Sequence, residues 1–336
     1  TKDYNNYQFQ LDSAGCITLN MTAYMKNYCI RIYETDGTEV WYTDENYWNE
    51  TVGYRRDEYN IYLEKGTYYI QINGYAYRTY QKSTGEYTCR TSFTSSGVTN
   101  REDDNFADAN NIAIGDKIVG QISVNDDFDT YKFTLSQVGC VKLDMTSYMQ
   151  YYCIKLFNSD GEEIWYTSEN EWTSTVGYRS DSYDLYLEKG TYYMQINGYD
   201  WGTYYKSTGK YVCNTSFTGS GVSFDGDDND FKTAKQISWN KKYIGQISEN
   251  DDFDNYIFSV PKDQTIAIDI TSYMRYYCIR IFDSDGKEIW ETDDNEWNSN
   301  VGYRKDSQNI VLSAGKYYMQ INGYAWGKSY KSTGKY

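Results

Sequence analysis

The chain has 336 residues, with 48 Asp or Glu against 32 Lys or Arg and no His, for a net charge of −16 at pH 7. That balance argues against a nucleic-acid partner, because phosphate binding needs Lys/Arg patches. The missing His removes the commonest general base and zinc ligand, while 41 Tyr and one Pro (Pro261) favour strands with turns made of Gly, Asn and Asp.

From its start the chain is repetitive. Thr1 to Leu11 (TKDYNNYQFQL) is matched by Asn125 to Leu135 (NDDFDTYKFTL), 124 residues on. The stretch Glu188 to Tyr199 (EKGTYYMQINGY) has counterparts at Glu64 to Tyr75 and Ser313 to Tyr324, offset by 124 and 125 residues. Repeats of that length are domains rather than solenoid turns. We read three: residues 1–98, without a counterpart of Asn100 to Val124; residues 99–222, complete; and residues 223–336, without a counterpart of Val212 to Phe217. The chain thus reads as a piece of something longer, with no signal peptide and no apolar run long enough to span a membrane.

The middle repeat opens on an acidic lead-in, Arg101 to Phe106, followed by Ala107 to Ile114 and a strand over Ile118 to Ser123. In Asn125 to Leu135, Phe128, Tyr131 and Phe133 read as core anchors. A strand over Cys140 to Thr146 points Val141, Leu143 and Met145 inward, and one over Tyr152 to Asn158 points Ile154 and Leu156 inward. Ser159-Asp160-Gly161 turns the chain into Glu163 to Tyr166, and a Trp-bearing loop, Ser168 to Tyr178, leads to a strand over Ser182 to Leu187. After Gly190, Tyr192, Met194 and Ile196 alternate with Tyr193, Gln195, Asn197 and Tyr199, giving one buried and one wet face. Gly209 to Phe217 closes the unit. Some eight short strands with regular turns predict an all-β fold: tandem antiparallel, jelly-roll-like β-sandwich domains in three copies.

Four features resemble the bacterial pre-peptidase C-terminal domain family. They are the lead-in Asp104-Asn-Phe-Ala-Asp-Ala109, the Asp127-Phe-Asp-Thr-Tyr-Lys-Phe133 strand, the Phe157-Asn-Ser-Asp-Gly161 turn, and Gly190-Thr-Tyr-Tyr with Gly209-Lys-Tyr. The resemblance implies a jelly-roll-like sandwich and an exported, non-catalytic accessory module. Relatives include the collagen-binding domains of bacterial collagenases, for which the resemblance implies Tyr on a strand face and a calcium site near the lead-in. Three tandem copies without a protease domain depart from that family's usual setting.

Catalysis finds no support. Paired carboxylates sit in turns that recur from repeat to repeat, whereas a glycosidase needs one dedicated cleft. The same carboxylates have another use. Glu102, Asp103 and Asp104 precede Asp126, Asp127 and Asp129, and Asp227, Asp228 and Asp230 precede Asp251, Asp252 and Asp254. Carboxylates crowded at two neighbouring turns suit calcium, which takes six to eight oxygens; solvated loop charge is the plainer alternative. Copy one keeps only Asp3 of its second cluster.

Cys29 and Cys89 are 60 residues apart, as are Cys153 and Cys213. That constancy predicts a disulfide in each unit and an oxidising, extracellular setting, with buried reduced thiols as the alternative; Cys16 and Cys140 are left over. On the wet face, Tyr69 and Tyr75, Tyr193, Gln195, Asn197 and Tyr199, and Tyr318 and Tyr324 recur, with Trp in nearby loops. Such a face suits a sugar or an extended peptide, self-association, or packing beneath loops. These residues together indicate a non-catalytic extracellular stalk or filament subunit on a bacterial surface that self-associates head to tail. A polysaccharide- or collagen-like-fibre-binding array acting by avidity is the alternative.

Overall fold

In the computed structural model of the chain the described residues are 4–43, 50–75, 82–98, 104–167, 177–198, 206–224, 228–292, 302–324 and 331–336. They form 25 strands and, among the described residues, no helix; none is therefore long and apolar enough to cross a membrane. The chain is all-β, built of tandem antiparallel β-sandwich domains.

The middle repeat shows the plan. One sheet runs Glu163–Tyr166, Cys153–Phe157, Gly190–Asn197, Phe128–Leu135 and Asn110–Asn111. The facing sheet runs Arg179–Leu187, Gly139–Ser147, Gly209–Gly219 and Lys117–Ile122. Strand side chains alternate in direction, so Ile154 and Leu156, Tyr192, Met194 and Ile196 meet Val141, Leu143 and Met145 in one core. Tyr131 and Phe133 are buried there as expected, while Phe128 is only half-buried. Pairing sets the register throughout: Leu135 lies opposite Gly190, Phe133 opposite Tyr192 and Tyr131 opposite Met194. The Tyr192 hydroxyl donates to the Glu188 carbonyl at 2.8 Å, closing the Glu-Lys-Gly turn.

The flanking repeats follow the same order; among the described residues repeat one has seven strands and repeat three nine, as many as the middle repeat. In repeat three, Gln264–Ser272 pairs with Arg304–Leu312 alone among the described residues. Beside it, past Gly334–Lys335, a cavity of about 1020 Å³ is lined by Ile266, Ile268 and Ile270, the strand face that in the middle repeat is covered from Val212 onward.

The predicted disulfides are not formed, and side-chain parity explains why. All seven described cysteines are free. Cys153 shares its strand face with Lys155, whose ammonium pairs with Glu163 at 2.8 Å on the outer side of the sheet. Its thiol lies 3.8 Å from the Thr167 carbonyl. Cys213 instead points inward among the core residues. The two thiols thus lie on opposite sides of one sheet, and Cys29 and Cys89 repeat the arrangement, with Cys29 beside Thr43 and Cys89 packed on the core. Burial pushes the Cys213 thiol up to about 12. We expect every thiol to alkylate in denaturant without reductant, and reductant to shift the melting temperature by no more than about 1 °C. Loss of a native disulfide would instead cost about 2–5 kcal/mol.

Candidate metal centre at the repeat junction

The strand pair Phe253–Val260 and Gly315–Asn322 carries Asp254 inward, and the turn before it places Asp251 alongside. Asp228, in the lead-in, closes the group: ligand oxygens of Asp228, Asp251 and Asp254 all lie within 4.8 Å of one another. The three are 7%, 8% and 8% exposed, so their charges are taken from water together. Asp251 Oδ1 has no hydrogen-bond partner. Burial, then Glu188 and Asp228, push the Asp251 carboxyl up to about 7. Burial, then Asp228 and Asp251, hold Asp254 well above the usual carboxylate range, against a hydrogen bond from the Tyr336 hydroxyl. A bound proton or a bound cation would relieve such crowding.

Not every predicted ligand joins. Asp252 faces solvent and pairs with Lys331 at 2.9 Å. Asp230 caps its own turn, accepting from the backbone N–H groups of Lys232 and Thr233. In the middle repeat Asp127 pairs with Lys206 at 2.7 Å, and Asp104 accepts from the Phe128 N–H at 3.3 Å. Asp126 and Asp129 do converge, with Glu64 and Gln121, on a cavity of about 310 Å³. Glu102 lies outside the described residues, as does Asp103, the counterpart of Asp228.

One carboxylate had gone unread. Glu188 belongs to repeat two, yet it lines the small cavity with Asp228, Asp251 and Asp254 of repeat three. The seam between repeats brings it there. Gln246 Nε2 donates to the Leu187 carbonyl at 3.2 Å and to Ser248 Oγ at 2.8 Å, and Ser248 Oγ donates to Glu188 Oε1 at 2.5 Å. The Glu249 N–H donates to the Tyr186 carbonyl at 2.8 Å. The first seam is built alike. Gln121 Nε2 donates to the Leu63 carbonyl at 3.1 Å, Ser123 Oγ donates to Glu64, and the Val124 N–H donates to the Tyr62 carbonyl at 3.0 Å. The available signal was Leu-Glu-Lys-Gly recurring at Glu64 and Glu188 while repeat three has Ser313.

The aromatic stripe is not an open face in repeats two and three. Phe106 stacks on Tyr193 at 4.6 Å between ring centroids, and Phe231 stacks on Tyr318 at the same distance. Gln195 donates to Thr130, Asn197 is buried, and Tyr199 lies outside the described residues. The Tyr324 hydroxyl donates to Asp252, Tyr75 is half-buried, and Tyr69 is exposed. The lead-in covers the stripe because its Phe needs an apolar bed, and the outer side of this sheet supplies one in Phe157. Solvent meets a different set: exposed Tyr24 beside half-buried Tyr54, exposed Tyr148 with Tyr178, and exposed Tyr273 beside half-buried Tyr303, ring centroids 5.8, 5.9 and 5.9 Å apart.

No family model matches the chain, and no curated protein does. Among solved structures it is similar to the pre-peptidase C-terminal domain of a collagenase from Bacillus anthracis, at 18% identity over 35% of this chain and 100% of that one, with a TM-score of 0.25. A triple-jelly-roll turret protein of an archaeal virus matches at 10% identity over 95% and 80%, with a TM-score of 0.23. The tandem CBM22-1–CBM22-2 domains of Xyn10C from Paenibacillus barcinonensis match at 9% over 61% and 80%, also with a TM-score of 0.23.

Proposed function

We propose that the chain is a non-catalytic, extracellular stalk on a bacterial surface, made of tandem β-sandwiches docked in a fixed way and holding calcium at the buried carboxylates. The observation that carries this reading is the seam, made twice from the same atoms: a buried Gln amide (Gln121, Gln246) reaching the carbonyl before a Glu of the preceding repeat, and a Ser hydroxyl (Ser123, Ser248) on that Glu. Flexible beads on a string need no such bonds, and a buried amide left unpaired would cost about 1–3 kcal/mol. For the ion, three buried carboxylates with one orphaned oxygen suit a hard cation, and a chain without His offers zinc little. Asp228, Asp251 and Asp254 would hold it.

A second reading, an array that binds polysaccharide or a collagen-like fibre, is favoured by the surface tyrosine pairs recurring once per repeat. Flat rings at regular spacing give weak sites that add along one chain. Negative-stain imaging with a polymer pull-down separates the two. A stalk gives rods of constant length, or fibres where chains associate head to tail, and no retention on the polymer. Retention lost in Tyr148→Ala/Tyr178→Ala, with rods unchanged, would move the assignment to the binding array.

A further inference from the structure

We propose that the cation is shared across the seam: Glu188 of repeat two supplies a fourth carboxylate to the ion held by Asp228, Asp251 and Asp254 of repeat three, so that calcium occupancy sets whether the two repeats stay docked. The inference rests on the calcium reading above and goes one step beyond it.

Three observations carry it. Asp251 is 8% exposed, and its Oδ1, without a hydrogen-bond partner, lies in the cluster that Glu188 also lines. The cavity between these groups is about 20 Å³, which is room for one water or one monatomic ion and for no organic ligand. Lys331, whose charge reaches Asp251, is held by Asp252 at 2.9 Å and by the Glu249 carbonyl at 3.1 Å, and so is turned to the rim of the site. Without an ion, then, carboxyls face each other from both sides of the seam, and wherever they ionise they do so as like charges. Their repulsion acts directly against the Glu249–Tyr186 and Gln246–Leu187 hydrogen bonds that join the repeats. With an ion, the same charges pull the seam shut. Glu64, with Asp126 and Asp129, forms the corresponding group at the first seam.

Repeat three shows how to test this without unfolding a domain. Its own turn carries Ser313 where the others carry Glu, and the Tyr317 hydroxyl still closes that turn on the Ser313 carbonyl at 3.0 Å. Glu188→Ser is therefore a substitution the turn accepts. Calcium titration by calorimetry and amide hydrogen exchange are measured on the whole chain, with calcium and with chelator. In the unmodified protein, calcium should slow exchange of the Glu249 and Val124 amides by at least about tenfold, each being donated across a seam. Glu188→Ser should bind calcium about tenfold more weakly at the second site and lose the calcium-dependent protection of Glu249, while Val124 keeps its own. Stoichiometric binding with Glu249 exchange unmoved by calcium overturns the shared site and leaves the calcium reading standing. No binding at all overturns both.

Discussion

Replacing Asp251 by Asn should raise the melting temperature of the chelated protein at pH 8 and abolish the rise that calcium gives the unmodified chain. The two effects have opposite signs because one carboxylate causes both. Its pKa of about 7 lies above the ordinary carboxylate value near 3.9. Below about pH 4 the group is protonated in both folded and unfolded chains and costs nothing. Between about pH 4 and 7 the folded state holds the proton that the unfolded state has released, so stability falls as pH rises and stays low above 7. Asp254, held up by the same neighbours, adds to the slope. The chelated protein should therefore melt several degrees lower at pH 8 than at pH 5. Calcium competes with the proton and favours the ionised form, so it should flatten or reverse that dependence. At a hundred times its Kd an ion adds about 2.7 kcal/mol, roughly 10 °C for a domain of this size. Scanning calorimetry at two pH values, with and without chelator, reads all of this. Identical melting of the unmodified chain with calcium and with chelator would remove the metal from the account.

Much of the fold was open to reading because the pattern is short-range and occurs three times. Alternation of Tyr192, Met194 and Ile196 against polar neighbours fixes one face of a strand, and the Gly turns fix its ends. What was hidden depends on which side of a sheet a residue faces and on what lies far off in sequence. A spacing of 60 made Cys153 and Cys213 look like partners, yet the inward reading of Ile154 and Leu156 already turned Cys153 outward. The acidic clusters were visible, but their sorting was not. Asp252 leaves the site for Lys331, 79 residues away, and Glu188 enters it from the preceding repeat. The stripe at Tyr193 and Tyr318 looked wet because nothing in a local window reports that Phe106 and Phe231 lie over it. The surface tyrosine pairs went unread for a similar reason. Tyr148 and Tyr178 flank different strands, and pairing of Ser147 with Arg179 brings them together.

The largest loss of stability should come from Gly198→Ala. At the end of Gly190–Asn197, a Cβ built on Gly198 would overlap the carbonyl oxygen of Ser207. That atom is backbone and cannot swing away, so the chain itself must part. Parting breaks the bond from the Ser207 N–H to the Gly198 carbonyl, 2.7 Å, and loosens the one from the Gln150 N–H to Ser207 Oγ, also 2.7 Å. The same clasp joins Gly74 to Ser83 and Gly323 to Ser332, each at 2.7 Å, which marks it as a structural device of every repeat. Two hydrogen bonds at about 1 kcal/mol each, with about 1–3 kcal/mol for the steric shift, give a loss of roughly 3–5 kcal/mol. That is a large part of the 5–15 kcal/mol that holds a typical domain, and it should lower melting by more than about 10 °C. The damage should travel, since Lys206, next to Ser207, holds Asp127 at 2.7 Å between Asp126 and Asp129. Gly190→Ala, at the other end of the strand, is the control. There a Cβ meets only the Tyr192 ring, at 3.6 Å, an ordinary contact, and the change should be neutral or stabilise by about 0.4–1 kcal/mol. Equal melting of the two variants would show that the clasp at Ser207 gives way without cost, and that strand pairing alone holds this end of the repeat.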